Sequence, residues 1–365
     1  MTKKFSATVI VLLALMNGLF AQDSTKTAPP AAPAPSLKIS GSVDAYYRFS
    51  SGAEGSPYLN NKTSFTGSNN TFQLGMASVK AEYTTGKVGG VIDLGFGKRA
   101  EEFSYADEGT LQSIKQAYIY FAPSDKVKFT FGKFGTHIGY ELLDPQLNKN
   151  YSMSYMFTNG PFSHTGIKAD FTLGGGAGLM FGIANPIDVT APSSGSDPKT
   201  LIAQFSKVGS NYSFYLNYAG YFGAKASMPT ASSLSQIGLT ASYTVSDQFS
   251  LGYDGTVQFV KDQTISKSKT WWASALYLNL AASSDFGVTL RTEYFSDKNQ
   301  MKIYTGTANG ANVFAATLSA NFKTGGFIFI PEFRMDNGSE NIFTDKDGAA
   351  TKSTGSFLLA AIYSF

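Results

Sequence analysis

Two histidines, His137 and His164, and no cysteine are what this 365-residue chain offers for nucleophilic or metal chemistry. Protein zinc and copper sites draw on Cys and His in sets of three or four, so no metal is expected. A serine hydrolase needs Ser within hydrogen-bond reach of His. Ser163 adjoins His164, but successive residues of a strand point to opposite faces. Ser152 and Ser154 could meet a histidine only through a tertiary contact. The run GGGAG at 174–178 lacks the Lys-Ser/Thr of a phosphate loop and reads as a hairpin turn. These residues predict a protein that is not an enzyme and takes no cofactor.

A second kind of chemistry is better supplied: charge on every second residue. The segment from Leu37 places Leu37, Ile39, Val43, Ala45, Tyr47 and Phe49 on one face and Lys38, Asp44 and Arg48 on the other. The same parity singles out Lys80, Glu82, Asp93, Lys115, Lys128, Lys168, Asp170, Asp254, Arg291, Glu293, Glu332 and Arg334. A charge facing mid-bilayer lipid costs about 2–4 kcal/mol, whereas one facing a wet interior is hydrated. These fifteen residues are therefore read as pore-lining candidates. Eight are basic and seven acidic, which argues against strong selection of either ion sign. Lys168/Asp170, Arg291/Glu293 and Glu332/Arg334 could equally pair with each other in the wall.

Such alternation must come from β-strands, since helices need apolar residues at spacings of three and four. Sixteen segments fit: 37–49, 71–84, 87–98, 110–121, 126–134, 162–173, 176–185, 199–207, 211–221, 234–245, 248–260, 271–282, 285–296, 311–323, 326–335 and 355–365. Their connections alternate between tight turns, such as Thr85-Gly86, Gly174-Gly175 and Thr324-Gly325, and long loops. The longest loop spans 135–161. An antiparallel transmembrane barrel has this asymmetry, with short turns at one rim and long loops at the other. An open sheet would leave unpaired N–H and C=O groups in lipid, so the barrel is expected to close. A soluble sandwich would need two apolar strand faces; here the second face is Ser, Thr, Asn, Gly and charge. Tyr118, Tyr120, Phe214, Tyr218, Phe322, Phe329 and Tyr363 are expected as outward girdle aromatics, and Trp271-Trp272 as girdle or mouth residues.

Composition agrees. Charged residues make up 15%, against roughly 25% in a soluble domain, and Phe and Tyr number 30 and 20. Residues 1–21 read as a cleaved signal peptide, with Lys3 and Lys4 ahead of the apolar run Phe5–Leu15. The absence of Cys rules out a lipid anchor. Without the two signal lysines, 27 basic residues face 26 acidic ones, which gives no case for a nucleic-acid partner. Residues 22–36, rich in Pro and Ala, read as a disordered periplasmic linker, with the barrel from 37 to 365.

The loop 135–161 is unusually apolar, with Ile138, Leu142, Leu143, Leu147, Met153 and Phe157. It needs something to pack against, so it is expected to fold into the interior. Tyr140, Glu141, Asp144, Lys149 and Tyr151 would then form a constriction. The chain ends GSFLLAAIYSF, with Phe357, Tyr363 and Phe365 on one face. This ending resembles the terminal signature that the barrel-assembly machinery reads in outer-membrane barrels.

From Gly132 to Asp170 the chain reads GKFGTHIGYELLDPQLNKNYSMSYMFTNGPFSHTGIKAD, preceded by QAYIYF at 116–121. The GKF-to-IGYE run, the NYS run and the HTG triplet resemble the OmpL-like β-barrel porins of Gram-negative outer membranes. That resemblance implies a pore-forming barrel in outer-membrane lipid. The expected function is passive diffusion of small hydrophilic solutes past loop 135–161. The alternative is a non-conducting barrel that serves as adhesin or structural anchor. Self-association into a homo-oligomer is left open.

Overall fold

The computed structural model describes residues 34–52, 60–192, 195, 197–223, 231–262 and 268–365. The expected signal peptide lies outside these residues, as does most of the expected linker. Sixteen strands form the barrel: β1 (Ser36–Ser50), β2 (Thr71–Thr85), β3 (Val88–Phe96), β4 (Ile114–Ser124), β5 (Val127–Gly135), β6 (Ser163–Gly174), β7 (Ala177–Ala184), β8 (Thr200–Val208), β9 (Tyr212–Phe222), β10 (Ala231–Thr244), β11 (Phe249–Asp262), β12 (Ser268–Ala281), β13 (Phe286–Asp297), β14 (Ala311–Thr324), β15 (Phe327–Gly338) and β16 (Ser353–Ser364). Among the described residues, two short helices lie between strands: α1 (Lys98–Phe103) and α2 (Tyr155–Asn159). A two-stranded hairpin at 343–344 and 350–351 decorates the last long loop.

Each strand pairs antiparallel with its sequence neighbours, and β16 returns to β1 to close the barrel. The seam register sets Val43 opposite Tyr363 and Phe49 opposite Phe357. Beyond the last strand, Phe365 and Gly41 exchange backbone hydrogen bonds of 3.0 and 3.1 Å. Closure therefore runs to the final residue. The sixteen expected segments correspond one for one to these strands. The fourth begins at Ile114 rather than 110, because Gly109–Ser113 forms a 3-10 turn.

Alternation explains why these stretches pair as they do. In β14, Ala311, Val313, Ala315, Thr317, Ser319 and Asn321 face inward, while Phe314, Leu318 and Phe322 face outward. The outward set continues round the barrel as an exposed apolar surface suited to lipid. Tyr118 and Tyr120 depart from expectation. Ile119 between them is 64% exposed on the outer face, so both tyrosines turn inward. Tyr120 shares a hydrogen bond with Thr84 and lies over Gly89, where a Cβ would sit 2.3 Å from its ring. Trp271 and Trp272 divide. Trp271 is buried inside against Phe295, and Trp272 faces out beside Tyr294.

Candidate functional site

The interior is organised by the loop between β5 and β6. Its entry at Gly139 has φ 106°, in the left-handed region that glycine tolerates. Asn148 clamps a short turn by donating to the Leu142 carbonyl (2.6 Å) and accepting from the Leu142 N–H (2.9 Å). Ser154 caps α2 by accepting from the Phe157 N–H at 3.0 Å. A loop folded this way exposes many backbone N–H groups that need partners away from water.

Inner-wall carboxylates supply those partners. Asp254 on β11 accepts from the Tyr140 N–H (2.9 Å). Glu293 on β13 accepts from the N–H groups of Tyr155 (2.8 Å) and Met156 (2.7 Å). Glu332 on β15 accepts from Tyr151 (2.8 Å) and Ser152 (3.1 Å). Asp44 on β1 accepts from the Tyr151 hydroxyl and the Met76 N–H. Hydrogen bonds to charged groups contribute about 1.5–3 kcal/mol each, more than neutral ones.

Arginines hold the loop's oxygens. Arg291 on β13 pairs with Glu141 and donates to the Ser152 carbonyl at 2.7 Å. Arg334 on β15 donates to the Met153 carbonyl at 2.6 Å, pairs with Asp336 at 2.8 Å and lies over the Tyr155 ring. Arg99 of α1 is wedged between the Phe65 and Tyr151 rings at 4.9 and 4.8 Å. It donates to the carbonyls of Leu143 and Tyr151. Arg48 on β1 donates to the Ser68 and Asn60 carbonyls of the first long loop. Arg291 and Glu293, and Glu332 and Arg334, which could have paired in the wall, do not pair with each other, because the loop and Asp336 take these charges.

The wall is shaped for the loop as well. Tyr140 stacks on Tyr277 with centroids 4.3 Å apart, and Gly252 leaves the space that its hydroxyl end fills. Tyr155 and Met156 pack on Ala273, Ala275 and Ala315, whose small side chains admit them. Tyr151 is fully buried. It therefore anchors the loop and cannot face a solute, contrary to its expected place in a constriction. Burial and the Asp44 carboxylate push its hydroxyl pKa well above the usual value. Glu141 is also buried, Tyr140 and Asp144 are half-buried, and Lys149 is exposed near Lys323.

Between the loop and β1–β4 lies a cavity of about 560 Å³. Ser40, Ser78, Lys80, Asp93, Lys115 and Gln116 line its wall side, and Ile138, Leu142, Leu143 and Leu147 line its loop side. Lys115 bridges Asp93 (2.9 Å) and Asp144 (2.5 Å). Lys80 and Glu82 lie 3.7 Å apart. Farther round, Lys168 pairs with Asp170 at 3.0 Å as expected, and Lys128 lies over the Tyr120 ring. Lys38 sits on the same inner face, opposite Glu82 in the pairing of β1 and β2. A second cavity of about 600 Å³ opens at the short-turn rim, lined by Lys149, Asn279, Thr289 and Lys323.

The histidines lie together, their rings 5.4 Å apart. His137 Nε2 donates to the Tyr218 carbonyl at 3.0 Å, and His164 shares a hydrogen bond with the Thr136 hydroxyl. Phe357, Tyr363 and Phe365 all lie exposed on the outer face, at 42%, 50% and 64%. Sequence reasoning missed Arg99, the buried Lys133–Asp107 pair (2.8 Å) and Asp336. Asp336 was within reach, since it continues the alternation of Glu332 and Arg334. Arg99 and Asp107 lie in a loop, where no periodicity marks them.

Comparison with known proteins places this barrel. A family model described as "Putative beta-barrel porin-2, OmpL-like" matches residues 36–365. No curated protein matches the chain by sequence. Among solved structures, the outer-membrane channel DcaP of Acinetobacter baumannii is 14% identical with a TM-score of 0.61, over 91% of this chain and 97% of that one. The anion-selective porin of Comamonas acidovorans is 11% identical with a TM-score of 0.61, over 91% and 100%. Vibrio cholerae OmpT in its trimer form is 11% identical with a TM-score of 0.60, also over 91% and 100%. At these identities the structures share the fold alone. A closed sixteen-stranded barrel, matched by the family model from its first strand to its last residue, belongs to the OmpL-like β-barrel porin family of outer membranes.

Proposed function

We propose that the chain is a passive diffusion pore for small hydrophilic solutes in a Gram-negative outer membrane, narrowed by loop 135–161, which the ends of β5 and β6 bound at 136–162. The observation that carries this reading is the loop's uneven attachment. Its backbone is tied to β11, β13 and β15, whereas β1 and β4 meet it through side chains, Asp44 at the Tyr151 hydroxyl and Lys115 at Asp144, and a cavity of about 560 Å³ is left beside β1–β4. Solute moves down its gradient through that space, so no catalytic group or cofactor is needed. Lys80, Asp144 and the Lys115 bridge face the path. Lys38, Glu82, Lys128, Lys168 and Asp170 line its continuation. The near balance of these charges supports weak ion selectivity, unlike that of the Comamonas porin.

Delivery follows from the termini in this reading. Residues 1–21 direct export and are removed, residues 22–36 form a periplasmic linker, and Phe357, Tyr363 and Phe365 present the closing strand to the assembly machinery. The trimer form of OmpT supports self-association of this chain as well. Deleting 141–156 tests the loop's role: single-channel conductance rises, and an unchanged value overturns the constriction. One observation favours an anchor or adhesin instead. Thr317, Ser319, Glu293 and Arg291 on the filled wall have no more than 1% exposure. A refolded, heat-modifiable barrel that stays silent in a bilayer would overturn the pore and favour that second reading.

A further inference from the structure

The cavity beside β1–β4 has two unlike faces. Its wall side is polar and charged, with Lys80, Asp93, Lys115 and Gln116. Its loop side is aliphatic. Leu142 and Leu147 remain 47% and 61% exposed there, although the same loop buries Ile138, Tyr151, Met153, Tyr155, Met156 and Phe157. Burying Tyr151, Met153 and Tyr155 is enough to fix the loop, so the two leucines are not needed to hold it. Apolar surface left facing water in a concave site marks a place where a ligand removes it from water.

The charges opposite are of both signs and partly open. Lys80 and its partner Glu82 have side-chain exposures of 36% and 40%, and Asp144 has 21%. Lys115 is buried and already shared by two carboxylates, so Asp144 is only half neutralised. Asp144 attracts an ammonium group, and Lys80 attracts a carboxylate. The leucines meet whatever lies between them.

We infer that this path favours small zwitterions with an aliphatic or aromatic side group, of the class of apolar amino acids and short apolar peptides, over sugars of equal size. The inference deepens the pore reading and rests on it. Desolvating the side group against Leu142 and Leu147 lowers the barrier to entry, while both charged ends keep polar partners. A sugar gains nothing from the leucine face and displaces the water on it to no advantage.

The test is swelling of liposomes carrying the refolded full-length barrel, in isosmotic L-leucine, L-serine or a pentose. Leucine enters about threefold faster than the pentose and no slower than the smaller serine. Leu142→Ser combined with Leu147→Ser restores the order set by size. Asp144→Asn lowers the leucine rate relative to the pentose. Entry in strict order of size, unchanged by the leucine substitutions, overturns the inference and leaves the pore intact. Failure of every solute to enter, with folding shown by heat-modifiable migration, overturns both.

Discussion

The wall from β10 to β16 and the wall from β1 to β6 carry the same alternation of charge, yet they use it differently. In the first, Asp254, Arg291, Glu293, Glu332 and Arg334 are buried, and each bonds to the backbone or a side chain of loop 136–162. In the second, Asp44 and Lys115 are also buried and reach the loop through Tyr151 and Asp144, but Lys80 and Glu82, and Lys168 and Asp170, stay partly exposed and pair with each other. An inward charge is thus a hinge pin for the loop where the loop covers it, and a hydrated lining where it does not. The partner decides the role, and the residue type does not.

Removing a pin should have the largest effect. Arg291→Ala leaves Glu141 buried without its cation, which costs about 3–5 kcal/mol. The barrel should unfold at a clearly lower temperature on heat-modifiability gels, and conductance should become noisy as the loop detaches. Adding Glu141→Gln should restore part of the loss. If the single variant matches wild type, the buried pair does not hold the loop.

How much of this division the sequence revealed differs between its two levels. The strands were legible because lipid outside and water or polar partners inside impose a period of two along each one. The apolar content of Ile138, Leu142, Met153 and Phe157 likewise signalled that the loop had to pack. Which charges it would cover was not legible. That depends on the path of a loop with no repeating pattern, and Arg291 and Lys168 look alike in sequence. Tyr151 shows the limit plainly. A tyrosine in an inserted loop suits a constriction, yet its contacts with Asp44 and Arg99 bury it completely.

A substitution on the filled wall that crowds the loop should have the next largest effect. Gly252→Leu drives a side chain into Tyr140, which cannot retreat because it stacks on Tyr277. The cost is about 1–3 kcal/mol, read as a lower unfolding temperature. Acid comes next. Burial, with Lys168 nearby, lowers the His137 pKa to about 4. The unfolded chain titrates near 6.5, so it binds the additional proton first as pH falls. The stability tied to neutral His137 is therefore present above pH 6.5 and is lost between pH 6.5 and 4. His137→Asn should flatten that part of the profile of unfolding temperature against pH.

The open wall should respond least in stability. Lys168→Met breaks a partly exposed pair with Asp170, a change worth no more than about 1 kcal/mol. Its effect belongs to ion flow: reversal potentials in a salt gradient should shift slightly toward cations. A large loss of stability there would erase the contrast between the two walls.

Because the chain has no cysteine, a single introduced thiol reports on one position. The most direct measurement is planar-bilayer current through Ser40→Cys and Ala315→Cys barrels before and after a charged thiol reagent. Ser40 lines the cavity beside the open wall, and Ala315 is 2% exposed beneath the loop. The expected result is a current that falls at Ser40→Cys and does not change at Ala315→Cys. A current reduced only at Ala315→Cys, or no current from either folded barrel, would contradict a solute path along the open wall.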